Sequence, residues 1–476
     1  MLISKIALTF AAMAGGALYD EPSSIGIQLV SHDRDDPTFA INVDQPRISA
    51  DGNSVVYASG STRLVPDALD GNPDRDVFVF DAACNTTQIV SNAWDGSPGN
   101  DSSGIGDDYR VSISADGRYV AFVSRATNLV KNGPPDDSAT DVYLVDRTNN
   151  YDIDGGRVRR ISVAPGNTEP NGRSFDPVVS ADGRYVVFAS HASNLVSPTD
   201  SDDDDHDGNN CDPGEDCDGN GATADIFRYT VDSPDGDIVL ISRTNDGRPA
   251  SNNSTMPTIS EDGSRIVYRS DAVNLGHVEI PNFSHPHVYF WNSASTYLID
   301  GRGRIAIKED VAENGVPGYP AIAGDGSAAA FISGATVLQP GDSTVHAFMR
   351  RFATNKTLRV TVAGTSGPDP VITQTPSLSH NGTYVAFASQ HVWPSIGPDS
   401  IYRRDMVNGG LMLVSRGANG QAENGQSNLP SISANGQRVA FRSTSTNLTT
   451  NQIGNINAAY LAHIGMSAQR PCTPWY

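Results

Sequence analysis

The segment Val111–Val130, VSISADGRYVAFVSRATNLV, decides the fold. An alternating apolar stretch leads into Ala115-Asp116-Gly117, and a second apolar stretch, Tyr119–Val123, follows it directly. An Asp-Gly pair between two such stretches is a strong short-range signal for a β-hairpin. The segment therefore predicts two antiparallel strands joined by a tight turn.

This phrase occurs seven times along the chain. Its copies begin at Pro46, Val111, Pro177, Pro257, Pro320, Pro376 and Pro430. A third apolar run follows each copy, at Asp76–Asp81, Asp141–Asp146, Asp225–Thr230, His287–Trp291, His346–Arg350, Ser400–Arg404 and Asn457–Ala462. A short apolar segment closes each of the first six units, at Ile89-Val90-Ser91, Arg160-Ile161-Ser162, Leu240-Ile241-Ser242, Leu298-Ile299-Asp300, Arg359-Val360-Thr361 and Leu413-Val414-Ser415. Each unit thus predicts four short strands, rich in β-branched and aromatic residues.

Seven such units predict an all-β fold, a seven-bladed β-propeller whose blades are four-stranded and antiparallel. The seventh unit supplies only three strands. Ile27–Ser31 has the same Leu-Val-Ser ending as several fourth strands, so we expect this N-terminal strand to complete the last blade. Pairing the two ends of the chain in this way would close the ring and remove two open sheet edges.

Two further repeated features predict structural roles. An Asp or Asn before Gly in each hairpin fits a turn that needs a positive φ or a side-chain bond to the backbone. These residues are Asp51, Asp116, Asp182, Asp262, Asp325, Asn381 and Asn435. A Ser-x-x-x-Asn-Leu pattern starts at Ser124, Ser190, Ser270 and Ser443, and we expect it to fix the loop that leaves the second strand.

The full phrase, P-x-I-S-x-D-G-R-Y-V-A-F-x-S-x-A-x-N-L-V followed by D-V-F-V-x-D and V-S, resembles the TolB-like family of WD-related propeller repeats. The resemblance covers the chain from Ile27 to Ile464. It implies the propeller fold and, since such propellers serve as periplasmic or cell-surface scaffolds, a binding role. The namesake of the family carries an additional N-terminal α/β domain, for which there is no room before Pro46, so the resemblance is to the propeller part alone.

Composition and the N-terminus suggest an exported protein. The 476 residues are 38% hydrophobic and 18% charged, as in a globular chain, and the formal net charge of −22 argues against nucleic acid or an anionic membrane as a partner. Residues 1–20 combine a lone Lys5, an apolar run and small residues, which is typical of a signal peptide, or alternatively of an apolar arm. No other segment is apolar enough to cross a bilayer. We expect export to the periplasm or the extracellular space, a propeller at residues 21–464 and a tail at 465–476.

The third unit carries an acidic insertion at residues 198–224. Its opening, D-x-D-x-D-G, is typical of calcium loops, because alternating carboxylates can wrap a cation while the Gly permits a sharp turn. Further on the EF-hand pattern fails, and the Asp-, Asn-, Gly- and Cys-rich run resembles the calcium loops of thrombospondin type 3 repeats. The insertion predicts a structural Ca2+ site, with a solvated acidic loop as the alternative. Its candidate ligands are Asp203, Asp205, Asp207, Asn209, Asp212, Asp216 and Asp218.

A smaller acidic run precedes the third strand of the first unit. It has the pattern D-x-N-x-D-x-D, with Asp70, Asn72, Asp74 and Asp76 as candidate calcium ligands. A plain polar turn explains this run equally well.

Four cysteines in an exported chain predict two disulfides. Cys211 and Cys217 share one loop and pair most simply with each other. A bridge between the remaining two, Cys84 and Cys472, would pin the C-terminal tail across the junction of the last and first blades. Free thiols are the alternative.

Catalytic signals are weak. There is no G-x-S-x-G nucleophile elbow. His285 and His287 are two residues apart and could chelate a metal, but scattered surface histidines explain them more simply. The other histidines that we considered lie in separate units, at His191, His346, His391 and His463.

The sequence therefore favours a binding or scaffold module over an enzyme. We expect protein or glycan partners, recognised by the long loops Asn92–Tyr109, Lys131–Thr140 and Arg243–Met256 on a rigid frame. One alternative is a polysaccharide lyase or glycosidase that acts at the propeller mouth. Another is a surface or filament subunit that self-assembles through its N-terminal arm or its tail.

Overall fold

The structure is a computed structural model. It describes residues 25–71, 73–105, 110–131, 133, 139–148, 157–196, 223–233, 237–245, 247–275, 287–292, 295–298, 318–334, 338, 345–361, 376–390, 399–450, 454, 456–465 and 472. Within these ranges the chain forms 28 β-strands and no α-helix. The strands group into seven sheets of four, which confirms the predicted all-β, seven-bladed propeller.

The strands of a blade are named A to D from the channel outwards and follow one another in the sequence. Blade 1 contains β2 (Asp44–Ile48), β3 (Ser54–Ser59), β4 (Asp76–Asp81) and β5 (Thr86–Ile89). Blade 2 contains β6 (Ser112–Ile113), β7 (Tyr119–Ser124), β8 (Asp141–Asp146) and β9 (Val158–Arg160). Blade 3 contains β10 (Ser174–Val179), β11 (Tyr185–Ser190), β12 (Asp225–Thr230) and β13 (Ile238–Leu240). Blade 4 contains β14 (Ser254–Ile259), β15 (Ile266–Ser270), β16 (His287–Trp291) and β17 (Thr296–Leu298).

The remaining three blades repeat this order. Blade 5 contains β18 (Gly318–Ile322), β19 (Ala328–Ser333), β20 (His346–Arg351) and β21 (Lys356–Arg359). Blade 6 contains β22 (Ser377–Leu378), β23 (Tyr384–Ser389), β24 (Ser400–Asp405) and β25 (Leu411–Leu413). Blade 7 contains β26 (Ser427–Ile432), β27 (Arg438–Ser443) and β28 (Ala458–Ile464), and its outer strand is β1 (Ile25–Leu29) from the start of the described chain.

The two ends of the chain close the ring, as the sequence predicts. Strand β1 pairs antiparallel with β28, with Ile27 opposite Ala462 and Leu29 opposite Tyr460. The amide of Val30 then donates to the carbonyl of Ala459 at 2.9 Å. The closing strand begins two residues earlier than expected, but it completes the last blade.

Apolar residues fill the space between blades. Seven buried clusters lie in the described chain, and each combines residues of two neighbouring blades. Inside every blade, one aromatic residue of strand B faces one of strand C, with ring centroids 5.8–6.1 Å apart. The pairs are Tyr57–Phe78, Phe122–Tyr143, Phe188–Phe227, Tyr268–Tyr289, Phe331–Phe348, Phe387–Tyr402 and Phe441–Tyr460. Cross-strand aromatic pairs of this kind stabilise each sheet beyond the area that they bury.

The seven A–B turns have the predicted left-handed glycine. Their φ values lie between 64° and 80°, at Gly52, Gly117, Gly183, Gly263, Gly326, Gly382 and Gly436. At Gly183 a side chain would also collide with the preceding blade, because a Cβ there would lie 2.3 Å from the ring of Tyr119. Glycine is therefore needed both for the turn and for the close approach of neighbouring blades.

These turns also bond to one another around the channel. The bonds run between backbone amides and carbonyls at 2.7–3.3 Å, and together they form a closed circuit that we call the turn belt. Its donor and acceptor residues are Asp51–Ala115, Ala115–Ala181, Asp182–Glu261, Glu261–Gly324, Asp325–His380, His380–Ala434 and Ala434–Ala50. The belt links every blade to the next at one end of the channel, independently of the apolar clusters.

Candidate functional site

The propeller has two different faces. The turn face carries the turn belt and the C–D turns, whereas the loop face carries the longer B–C and D–A loops. On the loop face, the Asn of the Ser-x-x-x-Asn-Leu pattern holds the neighbouring D–A loop. The side chain of Asn128, for example, accepts from the amide of Asn100 at 3.0 Å and donates to the carbonyl of Pro98 at 3.1 Å. Equivalent Asn residues make the same type of contact at Asn194, Asn274 and Asn447.

A buried hydrogen bond fixes the start of the C strand in blades 1, 2 and 3, beneath the loop face. In blade 1 the hydroxyl of Ser91 donates to the carboxylate of Asp76 at 2.5 Å and accepts from the amide of Val77 at 3.0 Å. Asp141 with Ser162 and Asp225 with Ser242 repeat this arrangement. The sequence analysis placed these serines inside the fourth strand, but the D strands end before them. At this position the serine hydroxyl, and not a backbone carbonyl, accepts from an amide of strand C.

Blade 1 places two carboxylates in this layer. Asp70 and Asp76 are each only 2% exposed. Burial, together with repulsion from Asp67, raises the pKa of Asp70 to about 6. Burial raises the pKa of Asp76 to about 7, against the hydrogen bond from Ser91, and the charges of Asp70 and Asp74 add to the shift.

Blade 2 has two acids in the corresponding layer as well, but it also has an arginine. The guanidinium of Arg160 lies 3.2 Å from the carboxylate of Asp141 and forms a second ion pair with Glu169 from the D–A loop. The Arg160 side chain is 3% exposed. Position 89, the blade 1 equivalent of Arg160, is an isoleucine.

Blades 4 to 6 use other side chains at the Asp76 position. His287 and His346 occupy it in blades 4 and 5, where both are buried. His287 is one of the two histidines that the sequence analysis considered as metal ligands. In blade 6 the position is Ser400, and a carboxylate comes from the D–A loop residue Glu423.

Glu423 is surrounded by hydroxyl groups. It accepts from Ser415 at 2.6 Å, from Ser445 at 3.3 Å and from Ser427. Burial raises the pKa of Glu423 to about 7, and the serine hydroxyls counteract the shift only in part.

Most of the predicted metal ligands cannot be placed. Asn72, Asp203, Asp205, Asp207, Asn209, Asp212, Asp216 and Asp218 lie outside the described residues, as do Cys211, Cys217, His285 and His391. Asp70, Asp74 and Asp76 are described. In the described ranges, no three His, Cys, Asp or Glu side chains form a group that could hold a metal by themselves.

A histidine–carboxylate pair on the turn belt was missed by the sequence analysis. Nδ1 of His380 lies 2.9 Å from Oε2 of Glu261, and both side chains are about half exposed. Gly324 of the intervening blade leaves room for the contact, since a Cβ there would lie 2.7 Å from Nδ1 of His380. The signal was present in the repeat, because the equivalent residues of the other turns are Ala or Gly.

The innermost strands are kinked where they line the channel. β-bulges interrupt β2, β10, β14, β18 and β26. The residue before the repeated proline has a positive φ at Gln45, Asp176, Met256 and Leu429. Such strained, non-glycine positions are often found at binding sites. Arg110 of blade 2, which is buried, reaches across to the carbonyl of Pro257 in blade 4 at 3.2 Å.

The predicted bridge between Cys84 and Cys472 is present, and it joins residues 388 positions apart. It ties position 472 of the tail to the C–D turn of blade 1. No helix of the described chain has the length and apolar character that a membrane span requires.

Comparison with known proteins finds distant structural likenesses. The sequence matches no protein-family model and no curated protein. An oligogalacturonate lyase from Vibrio parahaemolyticus is similar over 94% of this chain and 98% of its own, with 13% identity and a TM-score of 0.49. TolB from Acinetobacter baumannii is similar over 76% of this chain and 63% of its own, with 14% identity and a TM-score of 0.37. The β-propeller domain of the Trilobed protease from Pyrococcus furiosus covers 90% of this chain and 95% of its own, with 11% identity and a TM-score of 0.49. These likenesses concern the propeller fold alone.

Proposed function

We propose that this protein is an exported binding propeller that engages a protein or glycan partner with its loop face. The observation that carries the proposal is the contrast between the faces. Mostly small residues line the turn belt, and its backbone amides and carbonyls are occupied by hydrogen bonds to the neighbouring blades. On the loop face, Asn side chains hold long polar loops in place, as recognition loops on a rigid scaffold require.

Two of the predicted recognition loops meet in this face. Nζ of Lys131 lies 4.5 Å above the ring of Trp94, so the start of the Lys131–Thr140 loop touches the Asn92–Tyr109 loop. The Trp94 ring is half-buried and Lys131 is exposed. An aromatic ring with a polar edge suits contact with a sugar ring or with a protein side chain.

Export is part of the proposal. The disulfide between Cys84 and Cys472 supports it, because such bridges persist in oxidising compartments. The predicted signal peptide or apolar arm at residues 1–20 lies outside the described residues, as does most of the acidic insertion with its proposed calcium loop.

The test is capture of partners by the exported form, on a glycan array and from an extract of the exported proteins of the source cells. Trp94→Ala is expected to weaken capture at least tenfold. Arg184→Ala, which removes an exposed ion pair with Asp182 on the turn face, is the matched control and should leave capture unchanged. Equal loss in both variants would place the binding surface elsewhere.

One observation favours a second candidate, a lyase or glycosidase at the propeller mouth. The Glu261–His380 pair combines a carboxylate with a proton carrier on an open surface. Activity on acidic polysaccharides that disappears in both Glu261→Gln and His380→Gln would support this function. Activity that survives in both variants would exclude this pair as its centre.

A further inference from the structure

Asp70 is the one buried acid of the blade 1 layer for which no side-chain partner is found among the described residues. Its carboxylate is 2% exposed, and Oδ1 has no hydrogen-bond partner there. Asp76 of the same layer has Ser91, and the nearby Asp67 is exposed and paired with Arg34 at 2.9 Å. A buried carboxylate without a partner is costly, because it has lost its hydration and gained nothing in return.

Blade 2 shows how the same layer is balanced elsewhere. Asp141 occupies the position of Asp76 and forms the same serine bond, while Glu169 supplies a second acid. The guanidinium of Arg160 lies against both acids. Blade 1 has two acids and an isoleucine at the position of that arginine, so a positive charge is lacking among the described side chains of this layer.

We propose that blade 1 binds a calcium ion between Asp70 and the start of strand β4. The oxygens of Asp70 and Asp76 are hard ligands of the kind that Ca2+ prefers, and Asp74 lies in the same loop. Ca2+ takes six to eight oxygens, including backbone carbonyls and waters, so a site can rest on two buried carboxylates. The ion takes the place that the guanidinium of Arg160 has in blade 2.

The site would also order the loop face. The carbonyl of Leu69, next to Asp70, accepts from the side-chain amide of Asn92 at 2.9 Å. This bond joins the loop that contains Asp70 to the loop that contains Trp94. Calcium at Asp70 therefore stabilises the link between the two loops, whether or not they bind a partner.

The experiment measures calcium binding and thermal unfolding of the full chain in calcium, magnesium and EDTA. The acidic insertion could bind calcium as well, so the background replaces its six candidate Asp ligands by Asn, at Asp203, Asp205, Asp207, Asp212, Asp216 and Asp218. In this background we expect one bound calcium per chain and a melting temperature that is higher in calcium than in EDTA. Adding Asp70→Asn should weaken binding at least tenfold and remove the shift. Asp67→Asn, which alters an exposed ion pair, is the matched control and should keep both.

Two results would overturn the proposal. One is an Asp70→Asn chain that binds calcium as tightly as its background. The other is a background chain that binds no calcium, which would mean that Asp70 is held protonated. Asp70→Ala serves as a second variant, because it removes the charge without placing an amide in the buried site. If Trp94→Ala does not weaken partner capture, the proposed binding function fails, but the calcium site at Asp70 is still tested by the binding and unfolding measurements.

Discussion

Blades 1 and 2 have the same strands, the same Asp–Ser bond and two acids in the same layer, yet they differ in what neutralises the charge. In blade 2, Arg160 bridges Asp141 and Glu169. In blade 1, the arginine position is Ile89 and the second acid is Asp70. The repeat thus determines where a carboxylate is buried, whereas single residues outside the repeated phrase determine how its charge is balanced.

Blade 6 shows a third arrangement. Glu423 is surrounded by serine hydroxyls, and the structure shows no ion pair for it in the described chain. Because burial raises its pKa to about 7, a proton neutralises Glu423 below about pH 7. The carboxylates of this layer are therefore neutralised by an arginine in blade 2, by a proton in blade 6 and, as we propose, by a calcium ion in blade 1.

The largest effect is expected from removing the arginine of blade 2. Arg160→Met leaves the buried Asp141 and the half-buried Glu169 without this arginine. Removing one partner of a buried ion pair typically costs about 3–5 kcal/mol of unfolding free energy. Urea unfolding at neutral pH would measure it.

The control for this variant removes the charges that the arginine balances. A chain with Arg160→Met, Asp141→Asn and Glu169→Gln should recover most of the lost stability, because a buried ion pair can be replaced by neutral groups at little cost. If the triple variant is as unstable as Arg160→Met, then the arginine acts through packing and the comparison with blade 1 fails.

The second effect concerns the proton of blade 6. The pKa of Glu423 is raised from about 4.5 in the unfolded chain to about 7 in the folded one, so the folded state holds the proton more tightly. Stability that depends on this proton decreases as the pH rises from about 4.5 to about 7. Glu423→Gln cannot lose a proton, so its stability relative to the natural chain should rise by up to about 3 kcal/mol across that range. The measurement is urea unfolding of both chains at pH 5, 6, 7 and 8. A difference in unfolding free energy that stays constant with pH would contradict the prediction.

A smaller effect on stability is expected from the serine variants, which compare blades 1 and 2 directly. Ser91→Ala and Ser162→Ala remove the same hydroxyl from equivalent positions, and each should cost about 1–3 kcal/mol. If an ion balances Asp76, the cost of Ser91→Ala should be larger in EDTA than in calcium. The cost of Ser162→Ala should be the same in both, because Arg160 is part of the chain. Thermal unfolding of the two variants in both buffers decides between these outcomes.

The strand order of the propeller was predictable because its signals are local. The Asp-Gly turns and the apolar runs lie within one unit, and the ending of Ile27–Ser31 matches the missing outer strand. The sequence assigned the Ser-x-x-x-Asn-Leu pattern to the loop that leaves the second strand, and the structure adds that its Asn side chain bonds to the neighbouring D–A loop. The sequence predicts Asp76 as a calcium ligand, and its recurrence as Asp141 and Asp225 is a signal for the bond with serine that the structure adds.

The charge partners were not predictable, because they come from other loops or other blades. Arg160 lies at the end of a D strand and Glu169 in the following loop, so their contact depends on how that loop folds back. Glu261 and His380 belong to blades 4 and 6 and meet only because the turn belt curves around the channel. No spacing in the sequence encodes that curvature.

The smallest effect is expected in blade 7, where a histidine and an arginine place positive charge side by side. His463 of β28 lies opposite Arg438 of β27, and its Nε2 is 3.4 Å from Oε1 of Gln28 in the closing strand. Burial and the charge of Arg438 lower the pKa of His463 to about 4. Because the folded chain holds this proton less tightly than the unfolded one, stability is lost as the pH falls from about 6.5 towards 4.

His463→Gln should reduce this acid sensitivity by about 1–2 kcal/mol, less than the full pKa shift implies because the ring is partly exposed to solvent. Amide exchange of Ile27 and Leu29 at pH 5 and pH 7 reports on the closing strand itself. Faster exchange at pH 5 in the natural chain, but not in His463→Gln, would show that charge balance also controls the closure of the ring. Equal exchange in both chains would confine charge balance to the layer beneath the loop face, where blades 1 and 2 differ.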